Sequence, residues 1–135
     1  MTVAVAHQAS SSSRTIALHQ AAREAQLRGT DLAVLHVVET LDLDIADAYQ
    51  HSLKDEIESA FTEIGATGVP WQLQLATAQD DVAATILDLT RTVEAELLII
   101  GARRRSPVGK LILGSVTQTL ILEAEVPVLV VKSAT

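Results

Sequence analysis

With 135 residues, 48% of them hydrophobic and 20% charged, the chain has the length and balance of one packed domain spanning 1–135, which excludes a disordered or low-complexity segment. A formal net charge of −7 disfavours general affinity for nucleic acid or anionic membrane, because both are polyanions that the summed field repels. Cysteine is absent, so disulfides and thiolate metal sites are excluded, and the 2% aromatic share leaves the core to Val, Ile, Leu and Ala, the residues that cover both faces of a buried parallel sheet.

In chain order, short apolar runs alternate with helical patterns, which predicts repeated βα units around a parallel sheet. The first strand is expected over residues 3–6. A first helix follows, with Leu18, Ala21, Ala22 and Ala25 at i, i+3, i+4 and i+7 after a serine run at 10–13 that can cap it, and with Gly29 able to end it. A second strand covers 32–38. A second helix then starts among Asp42, Asp44 and Asp47, carries Ile45, Leu53, Ile57, Ala60, Phe61 and Ile64 on one face, and stops near Gly65. The third strand is expected over 71–76, and the third helix behind Asp80 and Asp81 with Val82, Ile86, Leu89 and Val93 inward. The fourth strand covers 97–100, the fourth helix starts at Ser115 with Val116, Leu120 and Ala124 inward, and the fifth strand covers 128–131. In a doubly wound sheet of this kind, ligands bind beyond the carboxyl ends of the strands where the strand order reverses.

The chemistry concentrates between residues 97 and 122, which hold Arg103, Arg104, Arg105 and Lys110, four of the ten basic residues, and not one carboxylate. An arginine-rich loop is ordinarily a solvated surface, and a Gly-Ser pair before a helix is ordinarily a cap. Together, directly before the helix opening at Gly114-Ser115, they make an anion site: glycine admits close backbone approach, serine offers a hydroxyl, and free amides with the helix dipole attract a phosphate. The spacing is neither a Walker loop nor the GxGxxG dinucleotide fingerprint. His7, His19, His36 and His51 are scattered over a loop, a helix, a strand and another helix, a spacing that implies no shared metal site. Ser115 lacks the GxSxG elbow and a partner base, and no paired carboxylates are placed for acid-base work.

Gly101 and the closing Gly114-Ser115 fit the pattern G-x2-G-x9-G-(S/T) after a fourth strand, and the segments IALHQAAREAQLRGTDLAVLHVVE and PVLVVK extend the likeness over nearly the whole chain. The sequence thereby resembles the universal stress protein A family. That resemblance implies a Rossmann-like α/β fold, a single-domain doubly wound five-stranded parallel sheet in order 3-2-1-4-5 with four helices, usually dimeric, in which some members bind ATP or a related nucleotide. By resemblance, Val37 lines the base pocket at the end of strand two, while Gly101, Gly114, Ser115, Val116 and Thr117 hold ribose and phosphates. Two positions depart from the pattern: Arg104 stands at the second glycine, and AHQASSSS stands where Asp-Gly-Ser is expected, leaving His7 or Gln8 at the acidic position. An arginine there either obstructs the phosphate path or pairs with phosphate as a bidentate donor.

The expected function is a regulatory module binding ATP, AMP or another adenine nucleotide at His7, Gln8, Val37, Gly101, Arg103, Arg104, Gly114, Ser115, Val116 and Thr117, with Mg²⁺ only as the nucleotide's companion. Two alternatives are a nucleotide-free scaffold of the same fold and a slow ATP hydrolase, for which no Mg²⁺ carboxylate or water-positioning motif is present near the loop. A homodimer is expected through the final strand, from Pro127 to Val131, whose proline suits an edge. No nucleic-acid or membrane partner is expected. The opening MTVAVAHQASS lacks a basic leader and apolar stretch, so a cytoplasmic location is expected.

Overall fold

The computed structural model describes residues 1–7, 14–40, 42–78, 80–103 and 113–133. Five strands, β1 (Thr2–Ala6), β2 (Asp31–Val38), β3 (Trp71–Thr77), β4 (Ala95–Arg103) and β5 (Val128–Ser133), alternate with four helices, α1 (Arg14–Arg28), α2 (Ala46–Glu63), α3 (Val82–Thr92) and α4 (Ser115–Glu123). All strand pairs are parallel, and the sheet order is β3-β2-β1-β4-β5. Right-handed crossovers dictate the layers. The chain steps from β1 to β2 to β3 in one direction, so α1 and α2 share a face; it then returns across the sheet to β4 and β5, so α3 and α4 cover the other.

The alternation of side chains divides the core accordingly. Val3 and Val5 of β1, Leu32 and Val34 of β2, and Leu97 and Ile99 of β4 pack with α1 and α2. Ala4, Ala6, Ala33, Leu35, Leu98 and Ile100 pack with α3 and α4. Every residue of β1 is buried, as befits a central strand covered on both faces. Leu18, Ala21, Ala22 and Ala25 are fully buried, so α1 meets the sheet through alanines that let it approach closely. Gly29 and Gly65, with φ of +65° and +71°, end α1 and α2 in the left-handed conformation that glycine adopts without a Cβ penalty.

Some details differ from the pattern read in the sequence. Ile45 is 55% exposed, because it is the residue before α2 and its backbone has not yet entered the helix. In α3 the most buried residues are Ala83, Ile86, Leu87 and Thr90, while Val82, Leu89 and Val93 are only partly covered. The helix is therefore rotated toward its small residues, and its start is capped by Asp81, whose carboxylate accepts from the Ala84 amide at 3.0 Å. Thr117 joins Leu120 as a buried residue of α4, whereas Val116 and Ala124 are partly buried. Strand β4 runs three residues beyond Ile100, since β5 continues beside it through the pairs Gly101 with Val131, Ala102 with Lys132 and Arg103 with Ser133. The expected serine cap at 10–13 lies outside the described residues.

Candidate functional site

The sheet order reverses between β1 and β4, the two strands whose following connections go to opposite faces. Strand β1 makes its last pair with β4 at Val5 and Ile99, and its last with β2 at Ala6 and Leu35. Strand β4 continues past that point to Arg103, supported by β5. The carboxyl end of the sheet is thus stepped, with Gly101 and Arg103 on a ledge of strand rather than in a loop.

Helix α4 opens beside this step. Gly114 is its N-cap, with φ −69° and ψ 166°, and supplies no side-chain bond to the first-turn amides; the first turn contains no acidic residue. The Gly114 carbonyl accepts from the Gln118 amide at 3.0 Å, and the Gln118 side chain donates to the Leu113 carbonyl at 2.9 Å, which fixes the entry to the helix. Gly114 and Ser115 are exposed. A Cβ built on Gly114 meets no described atom within 4 Å, and its φ is one that any residue adopts, so neither packing among the described residues nor backbone conformation explains a glycine here. An open helix start of this composition can accept an anion.

Val37, one residue from the end of β2, is partly buried on the α3/α4 face, together with Val116. Thr117, in the first turn of α4, is buried. His7 is also at the carboxyl end of the sheet, directly after β1, where its amide donates to the Leu35 carbonyl at 2.8 Å. Its ring goes the other way. Nδ1 of His7 is 2.7 Å from Nδ1 of His36, and Nε2 is 2.8 Å from a carboxylate oxygen of Glu56 on α2. His36 in turn has its Nε2 2.8 Å from the Tyr49 hydroxyl. The ring of His7 therefore turns into the α1/α2 layer, with both nitrogens engaged by protein, and is not brought onto the face that carries Val37 and Val116. Gln8 and Arg104 lie outside the described residues, as does the side chain of Arg103.

The four histidines are spread along the sequence; folding brings His7 and His36 together and adds Tyr49 and Glu56, which are not among the expected site residues. A signal was available. His7 and His36 fall on the same face of adjacent strands near their carboxyl ends, and Tyr49 and Glu56 are seven apart, two helical turns, on the same stripe of α2 as the buried Leu53, Ile57 and Ala60. Among the described residues no group of three or more His, Asp or Glu is placed to hold a metal ion, and no helix is long and apolar enough to cross a membrane.

Comparison with known proteins gives the same architecture a lineage. The sequence profile of the Universal stress protein family matches residues 1–132. A universal stress protein of Mycolicibacterium smegmatis is 35% identical over 119 residues, which is 86% of each chain. The solved structure of a universal stress protein from Archaeoglobus fulgidus is 32% identical, with a TM-score of 0.75 and 98% of both chains covered. The universal stress protein from Archaeoglobus fulgidus solved in complex with dAMP is 29% identical, with a TM-score of 0.70 and the same coverage. A stepped five-stranded sheet with a glycine-opened fourth helix, matched in sequence over residues 1–132, makes this chain a member of the universal stress protein family.

Proposed function

We propose that this protein is a cytoplasmic regulatory module that binds an adenine nucleotide across the carboxyl ends of β1 and β4, with its phosphates at the start of α4. The observation that carries the reading is Gly114, an exposed N-cap glycine that its backbone angles do not require, at a helix start whose first turn holds no acid. Arg103 ends β4, Arg104, Arg105 and Lys110 follow it in the sequence before α4, and an Archaeoglobus fulgidus relative was solved with dAMP. Phosphate oxygens fit donors of this kind: backbone amides, the Ser115 hydroxyl and guanidinium groups. Val37, Val116 and Thr117 would flank the nucleoside, and Gly101 would let it lie close to β4. His7 would contribute through its place in the strand end, since its ring nitrogens are held by His36 and Glu56. ATP, with Mg²⁺ as companion, and AMP are the ligands to compare. Mass spectrometry of gently purified protein should find a carried-over adenine nucleotide, and calorimetry should give saturable binding of AMP or ATP; no heat at millimolar ligand would reject this function in favour of a nucleotide-free scaffold.

The module also pairs with a second copy through β5. That strand is at the edge of the sheet, and its residues Val128, Leu129, Val130 and Val131 are only half-buried although strongly apolar. An apolar edge with unpaired backbone donors and acceptors is stabilised by another strand laid against it. Light scattering at about 10 μM, within the range of ordinary association constants, should give twice the chain mass; a single-chain mass would exclude the β5 dimer.

A further inference from the structure

Helices α1, α2 and α3 end in the same turn. The amides of Gly29, Gly65 and Glu94 donate to the carbonyls of Gln26, Thr62 and Arg91 at 3.3, 3.2 and 3.0 Å, and the three residues have φ of 65°, 71° and 54°. Glycine fills this left-handed position in the first two turns. In the third it is filled by Glu94, among the described residues the one non-glycine with a positive φ. A side chain at such a φ crowds the following carbonyl, so glycine would make the better turn there too. Backbone conformations held against residue preference gather at ligand sites, and Glu94 has a cavity beside it.

That cavity holds about 280 Å³, the liquid volume of roughly nine water molecules, and is at the amino ends of β4 and β5. Leu87, Ala95 and Val126 form its apolar wall, and Arg91, Glu94 and Glu125 bring charge to it. The Arg91 guanidinium is engaged twice, by Asp88 at 2.9 Å and by Glu125 at 3.2 Å. Thr90, the remaining lining residue, donates its hydroxyl to the Ile86 carbonyl at 2.7 Å. The side-chain donors of the wall are thus already turned to carboxylates and a carbonyl, which leaves little to receive an anion. The carboxylate of Glu94, by contrast, has no side-chain partner among the described residues. Three carboxylates stand here against one guanidinium, and the carbonyl end of the α3 dipole adds further negative potential.

We propose that this cavity binds an alkylammonium ion, with its hydrocarbon chain along Leu87, Ala95 and Val126 and its ammonium group on the carboxylate of Glu94. A metal ion does not suit an apolar wall, and among the described residues no group of three or more His, Asp or Glu is placed to hold one. The ligand class also accounts for the turn: glycine would relieve the backbone but could not hold a cation.

The probe is pentylammonium chloride, titrated into the full chain and followed by ¹H–¹⁵N NMR, with sodium chloride and pentanol as controls. Six non-hydrogen atoms in a partly open cavity should give a Kd of about 1 mM, with saturable shifts at Leu87, Glu94, Ala95 and Val126. Pentanol should bind at least about threefold more weakly, and Glu94→Gln should raise the Kd for pentylammonium by a similar factor, the effect of one exposed ion pair. Glu94→Gly should lose the same affinity while raising the folding equilibrium constant about threefold in urea titrations, so the lost binding is not lost folding. Nα-acetyl-lysine methylamide presents the same ammonium from a protein backbone: tighter binding than pentylammonium assigns the site to a partner's lysine, and weaker binding assigns it to a free amine. Equal binding of pentanol, a Kd unmoved by Glu94→Gln, a less stable Glu94→Gly variant, or shifts that sodium chloride reproduces would each overturn the proposal. The site is at the opposite end of the sheet from the start of α4 and no nucleotide is added, so the result is independent of whether one binds there.

Discussion

Gly114→Val should weaken AMP or ATP binding at least about 100-fold, more than 2.7 kcal/mol, while lowering the unfolding free energy by no more than about 1 kcal/mol. The disparity follows from where the glycine stands. Its φ of −69° suits valine, and a Cβ there meets no described atom within 4 Å, so the folded chain loses only the modest preference of an N-cap for glycine over a branched side chain. A phosphate on the amides of the first turn of α4 would meet that side chain directly. Calorimetric titration paired with urea denaturation separates the two effects. Equal binding by wild type and Gly114→Val would remove the start of α4 from the site. Arg104→Gly completes the comparison: weaker binding identifies the guanidinium as a phosphate donor, and tighter binding identifies it as an obstruction.

Leu98→Ala should cost about 3 kcal/mol of stability, within the range of roughly 2–5 kcal/mol seen for buried leucine truncations. Leu98 is fully buried in β4, between Ala4 of β1 and Val128 of β5, on the face covered by α3 and α4. The parallel sheet is held from above and below there, so the surroundings can collapse only partly around the lost methyl groups. Leu122→Ala, at a position 82% exposed on α4, should change stability by less than about 0.5 kcal/mol. Urea unfolding curves of the two variants check the contrast, and comparable costs would mean that α4 is covered by another surface in solution, such as a second copy.

The layer pattern was legible in the residues alone. Strands 2–5 began within two residues of their expected starts because short Val, Ile, Leu and Ala runs bounded by Gly29, Gly65 and Pro127 have few other ways to bury both faces. The buried stripe of α1 was likewise legible, since Leu18, Ala21, Ala22 and Ala25 repeat at helical spacing and a helix has one face to bury. The motif ending at Gly114-Ser115 was legible because an open, glycine-capped helix start depends on local backbone, which neighbouring residues encode. Other features needed the third dimension. Gly101 and Arg103 are strand residues because β5 extends alongside them, a pairing between segments 30 residues apart in sequence, as in Gly101 with Val131. His7, His36, Tyr49 and Glu56 come together only because parallel pairing sets β1 beside β2 and the right-handed crossover after β2 brings α2 onto the face that His7 and His36 share. Periodicity reports which face a residue takes, but contact between faces depends on the order in which strands are wound; the family resemblance implied that order, 3-2-1-4-5, and the sheet has it, whereas periodicity alone does not carry it.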